Sequence, residues 1–146
     1  MIPNFDANGL LPSGIYSAMW VDVVQRFGGN SHRQVLLQAL LRTLQALRIA
    51  GCTQAYLDGS FVTSKKTPGD YDLCWSVSGV DPALLDPILL KFDDGRRAMN
   101  AKYLGDIFPA ELAEGKSGKL FVDFFQIDKD TGTDKGIVLI DLRSLP

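Results

Sequence analysis

Leucines 36, 40, 44 and 47 recur at helical spacing between Asn30-Ser31 and Gly51. The stripe predicts a helix from about His32 to Ala50, capped by Asn30 or Ser31 and closed by Gly51. Trp20, Val23, Val24 and Phe27 form a shorter stripe, so residues 17–27 read as a short helix ended by Gly28-Gly29-Asn30. Residues 1–19, rich in Pro, Gly and Asn, read as an extended arm with turns. Further on, 53–58, 70–77, 119–127 and 137–142 read as strands, the first two paired. Between them, 59–66 is a turn with one or two short helical turns. Asp81-Pro82 starts a partly helical stretch that Pro87 interrupts. Residues 93–104 read as a helix with Ala98, Ala101 and Leu104 inward, 108–118 as a connection and 128–136 as a loop.

Helices and strands alternate irregularly, so the fold class is α/β (α+β), a mixed β-sheet flanked by helices. The 146 residues suit one domain over 1–146, with 1–30 an N-terminal arm and short helix. Hydrophobic residues make up 46% and charged residues 22%, ordinary for a globular protein. A net charge of −2 gives no global field for nucleic acid, and only Lys65-Lys66 and Arg96-Arg97 are locally basic. An exposed helix face accounts for the arginines. There is no apolar run of membrane-spanning length, and the N-terminus lacks the pattern of a signal peptide. The expectation is a cytoplasmic protein with no membrane partner. Cys52 and Cys74 lack metal-type or redox-type spacing and read as buried free thiols. His32, at a helix start, reads as a surface or capping residue.

The chemistry concentrates in residues 57–73. Leu57-Asp58-Gly59-Ser60 ends a strand in a small-residue turn, and Asp70-Tyr71-Asp72-Leu73 follows. Alternation along a strand puts Asp70 and Asp72 on one face, where two carboxylates can bind Mg²⁺. Gly59 lets backbone approach a phosphate closely, and Ser60 offers a hydroxyl and an amide. Pro68-Gly69-Asp70 is also good turn chemistry, so the pair alone has a plainer explanation. Asp123 lies inside the apolar run Leu120–Phe125, where a lone carboxylate needs a metal, a partner or backbone N–H groups. Lys65 or Lys66 could add a point charge for phosphates, or could simply be solvated.

Together these residues resemble the signature of the nucleotidyltransferase superfamily, the polymerase-β-like fold, in its minimal single-domain form. The resemblance covers about 32–127, with Asp123 as the third acid. It implies an NTP substrate and Mg²⁺ (or Mn²⁺), with Asp70, Asp72 and Asp123 as metal ligands and catalytic residues. Gly59, Ser60, Lys65 and Lys66 would hold the phosphates. Asp123 would help deprotonate an acceptor on a protein or RNA. The runs Met1–Asp6, Tyr56–Thr63 and Lys135–Leu142 also look like an uncharacterised bacterial family of this type. Minimal members occur in bacterial toxin–antitoxin and defence pairs, which implies a small helical partner protein or a homodimer. Larger relatives have a helical domain for the base that this chain lacks. That favours an alternative, a catalytically weak binding module of the same fold, antitoxin-like. A carboxylate-metal phosphodiesterase ranks last, because it would not need the Gly59-Ser60 turn.

Overall fold

The computed structural model describes residues 1–146. Its centre is one mixed sheet of five strands: β1 (Gly14–Ala18), β2 (Gln54–Asp58), β3 (Tyr71–Trp75), β4 (Gly105–Pro109) and β5 (Gly136–Asp141). Their order is β1-β5-β2-β3-β4; the outer pairs are parallel, and β2 is antiparallel to both its neighbours. Four helices accompany them: α1 (Trp20–Phe27), α2 (Ser31–Ile49), α3 (Asp93–Tyr103) and the short α4 (Phe121–Phe124).

The two faces of the sheet have different covers, and the alternation of side chains decides which residue meets which. Ala55, Leu57, Tyr71, Leu73, Ile107, Val138 and Ile140 point into the main core of 29 buried side chains. Leu36, Leu40, Leu44 and Leu47 of α2 fill the same core, as their spacing predicts, and the side chain of Asn30 caps the helix by accepting from Arg33 N at 2.8 Å. Cys74 and Ile137 face the other way, into a smaller cluster with Ala110, Phe121 and Phe125. Both cysteines are buried and free. No helix is long and apolar enough to cross a membrane.

Three elements differ from the sequence reading. Part of the N-terminal arm is strand β1, which extends the sheet beside β5. Residues 105–109, which span the gap after the expected helix and the first two residues of the expected connection, form β4. This edge strand ends in Pro109, whose missing N–H costs least at an edge. The expected strand over 119–127 is instead the turn of helix α4. Its apolar residues follow helical spacing, with Phe121 and Phe125 buried one turn apart. A strand would have put Asp123 on the same face as those two rings. The helix leaves it exposed. In α3 the inward residues are Met99 and Tyr103 rather than Ala98 and Ala101.

Tyr71, between the two aspartates, locks β3 to the helical layer. Its hydroxyl lies 2.6 Å from Thr43 Oγ1 and donates to Tyr103 O at 2.8 Å, all inside the core. Tyr71→Phe leaves the Tyr103 carbonyl without this donor, and should lower stability by about 1–3 kcal/mol. Urea unfolding with an unchanged m-value would show it; an unchanged midpoint would mean that this bond contributes nothing.

Candidate functional site

The register of three strands builds the site. Asp58 is opposite Asp72 in the β2–β3 pair, and Asp72 is opposite Asp106 in the β3–β4 pair. Directly opposed residues share a face, so the three carboxylates form one row across the sheet. Asp70 precedes β3 with the same parity as Asp72. Carboxylate oxygens of Asp70, Asp72 and Asp106 lie within 4.8 Å of one another.

The ends of this row are neutralised and its middle is not. Asp58 is buried with Lys135, whose Nζ lies 3.0 Å from Asp58 Oδ1. Asp106 Oδ1 accepts from Arg96 Nε and Asn100 Nδ2, both at 3.0 Å. Asp72 has no ion pair. Its burial, and then the charges of Asp58, Asp70 and Asp106, push its carboxyl up to about 7. Burial and the Asp106 charge raise Asp70 as well, and burial raises Asp58 against the pull of Lys135. Crowded oxygen donors short of positive charge suit a hard divalent cation such as Mg²⁺ or Mn²⁺.

Gly59 makes the crowding feasible. Its φ of 84° is a conformation that favours glycine, and a Cβ there would lie 2.9 Å from Asp72 Oδ2. The turn it starts is clamped from behind by Arg33, only 6% exposed. That guanidinium donates to the carbonyls of Phe27, Phe61, Thr63 and Lys65. The loop carrying Ser60 and Lys65 is thereby fixed to the start of α2. His32, on the same helix, contacts the Pro68 carbonyl through Nε2 and so braces the approach to Asp70.

A cavity of about 750 Å³ opens over the acids and takes in Gly59, Ser60 and Lys65. Lys66 is not part of its wall; the Lys66 carbonyl accepts from Asn30 Nδ2 at 2.8 Å. Lys119, Lys129 and Lys135 add cations that the sequence reading did not single out. Asp123 is exposed on α4 and outside both the acid cluster and the cavity wall. The third acid beside Asp70 and Asp72 is Asp106. The sequence holds one signal for it: Asp106-Ile107-Phe108 alternates polar and apolar after the break at Leu104-Gly105. Arg96, read as an exposed residue, is half-buried against Asp106, whereas Arg97 is exposed.

A protein-family profile matches residues 3–141, nearly the whole chain. The chain belongs to DUF6932, a family of unknown function. No curated protein and no solved structure matches it.

The raised Asp72 carboxyl makes stability depend on pH with a definite sign. In the unfolded chain Asp72 gives up its proton near 3.8, whereas the folded, metal-free protein holds it to about 7. Between those values the folded state binds more protons, so this group's contribution to stability falls as pH rises. Asp72→Asn removes that component. In EDTA at pH 8 the variant should be more stable than wild type by on the order of 2–4 kcal/mol, and by little at pH 4. Calorimetric melts at the two pH values decide it; a wild type as stable as the variant at pH 8 would contradict the charge crowding.

Proposed function

We propose that the chain is a divalent-metal-dependent nucleotidyltransferase that moves an NMP unit from an NTP to a hydroxyl on a protein or RNA acceptor. The observation that carries this reading is the unneutralised carboxylate at the centre of the row: Asp72, flanked by Asp70 and Asp106 within 4.8 Å, beside the Gly59-Ser60 turn. Asp70, Asp72 and Asp106 would hold the cation, which when bound would offset the charge of the triphosphate and favour displacement at phosphorus.

The remaining chemistry falls to the chain's own groups. The Gly59-Ser60 turn and Lys65 face the β- and γ-phosphates. Lys135, held by Asp58, presents a fixed positive charge to the same cavity. A new bond forms between the acceptor oxygen and the α-phosphorus, the α–β bridging P–O bond breaks, and pyrophosphate leaves. The acceptor proton passes to a carboxylate. Asp106 is suited to take it, because Arg96 and Asn100 fix it in place through one oxygen.

The Arg96–Asp106 pair also favours the second reading, since an acid with its own cation needs a metal less. On that reading the chain is a binding module of the same fold, antitoxin-like, whose partner is a small helical protein. Label transfer separates the two. With Mg²⁺ and lysate of the source organism as acceptor, Asp106→Asn should lower transfer from α-³²P-NTP by about a hundredfold or more. Asp123→Asn should leave it within about twofold, as expected for an exposed carboxylate outside the site. Loss of transfer in Asp123→Asn alone would overturn this assignment of the third acid. No transfer by wild type from any of the four NTPs would leave the binding module.

A further inference from the structure

The 26 residues 110–135 connect β4 to β5 and contain the short helix α4. They leave the end of β4 beside Trp75 and cross the sheet face that carries the aspartate row. They return at Lys135, beside Asp58. Two bridges, Ala113 with Leu120 and Ile127 with Asp134, give this excursion its own shape. Phe121 and Phe125 root it on the sheet: Phe121 stacks on Phe108 with centroids 4.1 Å apart and planes 4° from parallel. Phe108 in turn is two residues along β4 from Asp106, on the same face. Half of the residues that line the large cavity come from this excursion.

One of them is out of keeping with its surroundings. Phe124 is a large apolar ring, 37% exposed, in a cavity otherwise lined mainly by acids, lysines and hydroxyls. It meets Phe121 edge-on at 6.4 Å, so the buried stack fixes the ring without covering it. Phe125 and Ile127 extend the apolar patch. The cavity thus offers lysines and carboxylates over most of its wall and an apolar patch with an open aromatic face at Phe124.

We infer that Phe124 is the base-stacking platform of the site, and that the 110–135 excursion supplies within this chain the wall against which a nucleobase lies. The inference rests on the reading of the cavity as a nucleoside triphosphate site. Stacking on an aromatic ring accepts any base, because every base has a π-face. The carboxylates and Phe124 line the same cavity, so one ligand there can meet both.

Two probes separate this inference from its parent. Calorimetry with excess Mg²⁺ would compare ATP with inorganic tripolyphosphate, which has the anionic end and no base. Wild type should bind both, ATP the more tightly. Phe124→Ala should weaken ATP about tenfold and leave tripolyphosphate unchanged, while Phe124→Tyr should retain ATP affinity. A melt like that of wild type checks that the alanine variant folds, and the tyrosine variant keeps the test valid if it does not. Unchanged ATP affinity in Phe124→Ala would overturn the stacking role alone. An equal loss for both probes would do the same, by showing a general distortion. Failure of wild type to bind either probe would overturn the triphosphate site itself.

Discussion

Repulsion among aspartates fixed side by side by strand register is the constraint on which the site depends. β2, β3 and β4 each bring one carboxylate to the same row, and hydrogen-bonded strands cannot slide apart to relieve it. Like charges directly opposed across a ladder are destabilising. The chain answers at both ends, with Lys135 on Asp58 and with Arg96 and Asn100 on Asp106. At the middle no side chain pairs with Asp72, the pull of Lys135 is outweighed, and Asp72 holds its proton to about 7. A fold stabilised only for its own sake would place an apolar residue there. On the proposed function, a cation from solution would complete the row.

The rest of the architecture keeps that row in place. Tyr71 points away from the acids into the helical layer, where Thr43 and the Tyr103 carbonyl hold it, so the aspartates on either side have fixed directions. Gly59 leaves the room that Asp72 occupies. Arg33 spends its buried guanidinium on four carbonyls, three of them in the loop after Gly59. These contacts fix the directions of the carboxylates, as a site for any ligand requires. On the opposite side, the excursion 110–135 closes the cavity without adding a domain.

Much of this was legible in the sequence, and the misses share a cause. The α2 stripe, the Gly59-Ser60 turn and the Asp70/Asp72 pair could be read because local periodicity and turn chemistry determine them. The third acid could not be read the same way. Asp106 lies on a five-residue edge strand that follows a helix with scarcely a turn between, and its role arises from pairing with a strand more than thirty residues earlier. Asp123 drew attention because an acid within an apolar run suggests a buried charge. That run buries Phe121 and Phe125 at helical spacing, which turns Asp123 outward. Lys135 and Asp58 had no local signal at all, since their contact joins residues far apart in the chain.

The most direct test of the central claim is where a cation goes. Crystals grown with Mn²⁺ and a non-hydrolysable NTP should give an anomalous peak at coordination distance, about 2.0–2.3 Å, from oxygens of Asp70, Asp72 and Asp106. Asp123 should take no part. An empty row at saturating Mn²⁺, or a peak held by other residues, would contradict the account.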